Sequence, residues 1–348
     1  DANRDKEGFG HGEGYLYPHA YRDHWVAQQY LPDALQGRVF YQPSNQGYER
    51  HLREGVLRRR EAMVAAMLET KAESQGPDWE ERTYDTSTEV LSQIREDVLA
   101  NAKLQRNSLA LVLEPTSGLL TPELRRQIPE EGVHVWLPEG ANRKLWIGTN
   151  PVSELPKCVW HEGSLEEVTA KLKSESMRFE RILGWFPTKL EPPVSEQLAA
   201  LAGLLSKAGK LVLALSLPSK TPRLSTLVAP DLLADAARRA LHDAEEEIYQ
   251  RLQDKDDGLT KKALDGRLQS GYSIAVCTAK PYSTELRLSA NRVREWLEPG
   301  NNSGYFRKLR SLLDQATFHE IAQAFKHHAP HRTHPWFRTV LHLVVVRQ

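Results

Sequence analysis

Cysteine is nearly absent: Cys158 and Cys277 are the only two in 348 residues. Both stand in apolar, strand-like runs far from each other, which suits reduced core thiols and argues against a disulfide framework or a thiolate metal site. Net charge is absent too, since 46 Lys and Arg balance 46 Asp and Glu. The chain as a whole therefore has no cationic field to draw nucleic acid, and any such contact has to be local. No apolar run approaches the ~20 residues needed to cross a bilayer, and no charged-then-apolar leader is present. A cytoplasmic protein with no membrane partner is expected. Missing as well are a Gly-x-x-x-x-Gly-Lys-Ser/Thr loop and an acidic strand end to hold Mg²⁺, so no part of the chain reads as hydrolysing a nucleotide.

What is present is enough apolar residue, 40%, to bury a substantial core in roughly two domains. Residues 8–48 are rich in Gly, Pro, Tyr and His without a sustained period, which predicts an ordered irregular arm. Its aromatics, among them Tyr15, Tyr17, Trp25, Tyr30, Phe40 and Tyr41, need a surface to cover. From Gly47 to Lys71 the pattern turns helical, with Ser44 or Asn45 as N-cap and Leu52, Val56, Leu57, Met63, Val64, Met67 and Leu68 as the apolar stripe. The opposite side carries Arg50, Arg53, Arg58, Arg59 and Arg60. Such a row can track phosphates, and it can equally be a solvated face paired with Glu49, Glu54 and Glu61. Residues 72–86 have linker composition, and a helix over 87–102 follows.

From residue 108 short apolar runs alternate with helical stretches. Strands are expected at 108–113, 133–137, 158–160, 179–186, 210–217, 273–288 and 338–346. Helices are expected at 121–128, 164–172, 194–205, 231–252 and 261–269, with two or three more over 290–329. Continuous apolar strands alternating with helices predict a doubly wound α/β domain with a mostly parallel sheet.

Two resemblances sharpen this reading. The run Gly10 to His19, with His24, Trp25, Gln28, Gln29, Tyr30 and Pro32 after it and then Phe40, Tyr41, Gly47, Tyr48 and Glu49, closely resembles the tail of the RarA/MgsA-type replication-associated recombination AAA+ ATPases. That resemblance implies several things. Residues 1–75 would be the C-terminal end of the oligomerisation collar, with Trp25, Gln28, Gln29 and Tyr30 in a packing motif. ATP and Mg²⁺ would belong to a part of the protein preceding this chain, which begins with Asp1 and reads as a fragment. The implied partners are the rest of the ATPase, further copies in a tetramer, DNA and single-strand-binding protein, and the implied role is at stalled or damaged replication forks.

The second resemblance is topological. Five strands, a long helical region and two final strands over 108–348, with 76–107 as linker and helix, resemble a class I S-adenosylmethionine-dependent methyltransferase, a Rossmann-like fold of seven strands. In that fold an acid and a Gly-rich turn follow the first strand, because only glycine lets the backbone approach the cofactor. Here the turn runs from Glu114 through Pro115 and Gly118 to Leu119 and Leu120, with one glycine and two bulky leucines. Glu139 is the counterpart of the ribose-binding acid. The Asn/Asp-Pro-Pro-aromatic motif expected after the fourth strand is replaced by Gly184, Trp185, Phe186 and Pro187. The resemblance thus implies Glu114, Gly118 and Glu139 as cofactor contacts if the domain binds adenosylmethionine. The departures favour a domain without catalytic residues that serves interaction or assembly, with a tethered methyltransferase as the alternative. Finally, His327, His328, His331 and His334 lie close in sequence, but Pro330 and Pro335 break helical spacing, so they read as a solvated loop before the last strand and not as a metal site.

Overall fold

A computed structural model describes residues 41, 43, 44, 46–75, 88–116, 118–128, 132–140, 158–187, 193–287, 293, 297, 304–328 and 333–348. The arm at 1–40, with Trp25, Gln28, Gln29 and Tyr30, lies outside the described residues, as does His331.

The described residues form a seven-stranded sheet: β1 (Ala110–Leu113), β2 (Val133–Leu137), β3 (Val159–Glu162), β4 (Phe179–Phe186), β5 (Leu205–Ser216), β6 (Tyr272–Arg287) and β7 (Thr333–Arg347). Their order is β3-β2-β1-β4-β5-β7-β6. β1 to β5 pair in parallel, and β7 inserts antiparallel between β5 and β6. This is the doubly wound sheet expected from the alternation of elements, with the methyltransferase-like topology that the resemblance implied. Strands buried on both faces need no polar alternation, so β1 is Ala-Leu-Val-Leu, fully buried.

One face is covered by α1 (Gly47–Gln75), α2 (Thr88–Ala102) and α3 (Thr121–Gln127), the other by α4 (Leu165–Ser174), α5 (Leu198–Ala202) and α7 (Lys261–Asp265). A third core gathers α6 (Asp235–Asp256), α8 (Gly304–Leu312), α9 (Gln315–His328) and the short 3-10 turns from Pro218 to Leu232 around Tyr249, Phe306, Phe318 and Phe325. Trp336 joins this helical core from the part of the β6–β7 hairpin that outruns β5. Two chain segments, between β5 and β6 and between β6 and β7, thus fold together into one helical unit.

Several expectations needed correction. The helix expected over 194–205 stops at Ala202, because Leu204 and Leu205 are pulled into the apolar core and Phe179 pairs with Leu205. β5 consequently starts at Leu205, not at 210. The histidines expected in a loop are divided: His327 and His328 end α9, and His334 is buried in β7. Among the described residues no three His, Cys, Asp or Glu side chains gather as metal ligands. Cys158 and Cys277 are not joined in a disulfide and are half-buried rather than sealed in the core. Among the described residues no helix is long and apolar enough to cross a membrane.

The largest difference concerns α1. Its expected stripe is not what packs inward: Leu52 is 42% exposed, and Val56, Leu57, Met63, Val64 and Leu68 are half-buried. Buried instead are Glu61, Ala62, Ala65, Ala66 and Glu69. Ala62, Ala65, Ala66 and Glu69 follow the i, i+3, i+4, i+7 spacing of one helix face. Short side chains let α1 lie close on α2, and the flanking carboxylates reach charged partners beneath.

Candidate functional site

In open α/β sheets, ligands bind beyond the carboxyl ends of the parallel strands. At this rim Glu114 follows β1. It is fully buried, and its Oε1 accepts the backbone N–H groups of Leu120 and Thr121, both at 2.8 Å, and the Thr121 hydroxyl at 3.1 Å. The carboxyl therefore closes its own turn and satisfies the free amides at the start of α3. Gly118 takes φ +65°, the left-handed conformation that lets the turn fold back. That fold brings Leu119 and Leu120, 1% and 0% exposed, into the core under α2. Burial pushes the Glu114 carboxyl up to about 7 against these hydrogen bonds, and its Oε2 is buried without a hydrogen-bond partner. Glu139, after β2, stands exposed beside Gly140. The two acids implied by the methyltransferase resemblance thus have opposite environments, one sealed and one in solvent.

Further along the rim, the ends of β4, β5 and β7 hold a buried cluster that sequence reasoning missed. Glu69 of α1 accepts the Trp185 indole N–H at 2.7 Å, and its other oxygen meets the Arg338 guanidinium at 3.4 Å. Arg338 also donates to the Pro187 carbonyl at 3.3 Å and the Ser216 hydroxyl at 3.4 Å, and it lies 4.9 Å from the Trp185 ring centre. Arg338 and Glu69 side chains are 1% and 0% exposed. Ions this dry persist only when paired and hydrogen-bonded. The signal in the sequence was the acid at the end of the Ala62, Ala65, Ala66 stripe, since a carboxylate in line with a buried face requires a cation opposite it.

A second charged seam joins α1, α2 and α3. Glu61 contacts Arg126 directly and lies 3.9 Å from Arg95, while Glu123 takes Arg58 at 3.2 Å and Arg126 at 2.7 Å. Burial raises the Glu61 carboxyl despite its arginines. For Glu123, burial is outweighed by hydrogen bonds from Gln127 and Arg58, and its value falls. The row of arginines expected to face phosphate is therefore partly engaged within the chain. Arg58 holds Glu123 and Arg60 donates to the Tyr41 carbonyl at 2.8 Å, whereas Arg59 is exposed and Arg53 half-buried.

On the same sheet face, Asp97 of α2 accepts from Lys280 and from the Tyr282 hydroxyl, whose oxygen lies 2.6 Å from His342 Nε2. Tyr282 has one proton, committed to Asp97, so His342 Nε2 carries the hydrogen in that contact. His342 Nδ1 is left buried and unpartnered. Burial lowers the imidazole, which fits a neutral ring. This chain of contacts ties α2 to the hairpin.

Residues 1–60 match the family model described as MgsA AAA+ ATPase C terminal. The replication-associated recombination protein A of Bacillus subtilis is 50% identical over 38 residues, which is 11% of this chain and 9% of that protein. An uncharacterized protein of Thermotoga maritima is 47% identical over 45 residues, 13% of this chain and 7% of its own. The chain thus spans a small fraction of the length of these curated relatives. Among solved structures, the YcgJ protein of Bacillus subtilis aligns over 75% of this chain and 98% of its own, with 8% identity and a TM-score of 0.37. The cyclopropane synthase MmaA2 of Mycobacterium tuberculosis aligns over 74% of this chain and 84% of its own, with 11% identity and a TM-score of 0.36. The fold assignment rests on the strand order itself.

Proposed function

We propose, from the membership of residues 1–60 in the MgsA AAA+ ATPase C-terminal family, that this chain is the distal region of a replication- and recombination-associated ATPase. Its methyltransferase-like domain serves that ATPase as an interaction module fixed rigidly to the collar. The observation that carries this reading is α1. It starts at Gly47 inside the family segment and runs without interruption to Gln75. Its distal half is buried in the α/β domain through Ala65, Ala66 and Glu69. A helix shared by both regions transmits position and orientation, as a flexible tether would not. At its other end Tyr41, Tyr48 and Leu52 stay 51%, 76% and 42% exposed, a surface suited to packing on the preceding collar elements. The partners follow the family resemblance: the ATPase subunits in an oligomer, DNA and single-strand-binding protein, in the cytoplasm, with ATP and Mg²⁺ held elsewhere in the protein.

A non-catalytic domain is the reading the rim favours over a tethered methyltransferase. Adenosylmethionine needs an open glycine turn and an acid free to accept from it. Glu114 Oε1 is taken by Leu120 and Thr121, its Oε2 is sealed from solvent, and the turn folds Leu119 and Leu120 into the core instead of offering open glycine backbone. These residues do not fit the cofactor. Hydrogen exchange on the chain tests the rigid joint. Amides of 62–69 in α1 are expected to be as protected as those of 94–98 in α2, and exchange at the rate of an unpacked helix would sink the proposal.

A further inference from the structure

The opposite rim of the sheet, where the parallel strands begin, carries cations that no described contact neutralises. Arg181 of β4 pairs in register with Lys210 of β5, and Lys210 with Val346 of β7, next to Arg347. Arg181 donates to the carbonyls of Ala102 at 2.6 Å and Lys103 at 3.3 Å, which brings Lys103 to the same place. Arg347 donates to the Leu205 carbonyl at 2.9 Å and Arg178 to the Met177 carbonyl at 2.7 Å. All of these bonds go to backbone carbonyls, so the guanidinium charges stay uncompensated. Among the described ion pairs, none includes Lys103, Arg178, Arg181, Lys207, Lys210 or Arg347. Their mutual repulsion is felt at Lys210, which burial first and then Arg181 and Lys103 lower from its ordinary value.

Lys207 is presented by a built feature. Between the pairs Phe179↔Leu205 and Arg181↔Lys210 the β5 strand has more residues than β4, so Ser206 to Gly209 form a bulge in which Lys207 and Ala208 are exposed and Gly209 is buried. Ala208 takes φ +63°, and a Cβ at Gly209 would lie 2.9 Å from the Ser206 carbonyl and 3.0 Å from that of Phe179. A bulge with a left-handed residue thus presents an exposed Lys207 at the end of β5, where Arg181 pairs in register with Lys210 and Arg347 reaches the Leu205 carbonyl.

We propose that this ridge, formed by Lys103, Arg178, Arg181, Lys207, Lys210 and Arg347, binds the phosphodiester backbone of duplex DNA without reading sequence. Arg181, Lys210 and Arg347 sit on the neighbouring strands β4, β5 and β7, which lie about 4.8 Å apart, while Lys103 and Arg178 stand in the segments leading to β1 and β4. A row of cations suits a polyanion with one charge per ~1.7 Å of axis and gains from counterion release. Arginine forks match phosphate oxygens. Among the described residues the exposed large hydrophobic side chain at this rim is Val159, which starts β3 and has no ring. The exposed aromatics Tyr41, Tyr48 and Phe337 belong to the approach and start of α1 and to β7, so β1, β4 and β5 present no exposed ring on which single-stranded bases would stack. The inference rests on the interaction-module reading and gives that module a partner.

The test is fluorescence anisotropy of the full chain with a labelled duplex of about 20 base pairs, its single strand and a poly-glutamate peptide, across a salt series. The variant K207E/K210E changes two side chains outside the core. It is expected to weaken duplex binding by about tenfold or more and to flatten the salt dependence by about two charges. An R50E/R59E control on α1 should change affinity far less. No duplex binding, equal binding of poly-glutamate, or loss only in the α1 variant overturns the inference. The proposed joint is judged separately by exchange at α1, so either can fail alone.

Discussion

The two rims of one sheet use the same kinds of residue to opposite ends. At the carboxyl rim Glu69, Glu114 and Arg338 are dry and held by neighbours in the chain. At the amino rim Arg178, Lys207 and Arg347 lie exposed with carbonyl contacts at most. Burial forces a charge to find a partner inside the molecule, whereas a solvated charge keeps its attraction for something outside. Among the described residues, charges at the rim where this fold ordinarily holds a ligand are engaged by the chain's own side chains, and cations without an ion-pair partner lie at the other end.

Breaking the carboxyl rim should have the largest effect. Arg338→Met leaves Glu69 buried without its cation and is expected to cost about 3–5 kcal/mol in denaturant unfolding. The double variant E69Q/R338M should recover much of that loss, because no uncompensated ion remains. A single variant within about 0.5 kcal/mol of the parent would contradict the buried pair. By contrast, K207E/K210E at the amino rim should leave stability within that same range.

A smaller and pH-dependent effect belongs to Glu114. Its folded value of about 7 lies above its ordinary 4.5, so between these pH values the folded state keeps a proton that the unfolded chain has released. The stability this contributes is complete below 4.5 and is lost as pH rises through 7, on the order of 3 kcal/mol. His134, lowered to about 4 by burial and then by His161, acts in the other direction, with stability lost as pH falls below its ordinary value. Glu114→Gln isolates the first contribution. The difference between variant and parent stability should change steadily from pH 4.5 to 7, and a constant difference would refute the raised carboxyl.

Much of this architecture was legible in the sequence because its signals are local. Runs such as Val133–Leu137 and Phe179–Phe186 are apolar and bounded by helical stretches, and their alternation was enough to predict a doubly wound α/β domain, while the seven-stranded order came from the resemblance to methyltransferases. The bulky stripe of α1 misled because apolar size does not say which face meets the domain. The face chosen was the one with small residues and acids, and its partners Arg95, Arg126, Trp185 and Arg338 lie far along the chain. The cationic ridge was hidden for the same reason. Lys103, Arg181, Lys210 and Arg347 are brought together only by the strand order, and the zero net charge conceals them. Glu114 and Gly118 were singled out by the resemblance to methyltransferases, but only the fold places the Glu114 carboxyl on Leu120 and Thr121.

The most direct measurement of the central proposal, that the domain takes no adenosylmethionine at its carboxyl rim, is isothermal titration of the chain with S-adenosylmethionine and S-adenosylhomocysteine. No heat of binding at millimolar ligand is predicted. Saturable binding at micromolar affinity, lost in Glu114→Gln, would contradict it and make the domain a methyltransferase carried by an ATPase.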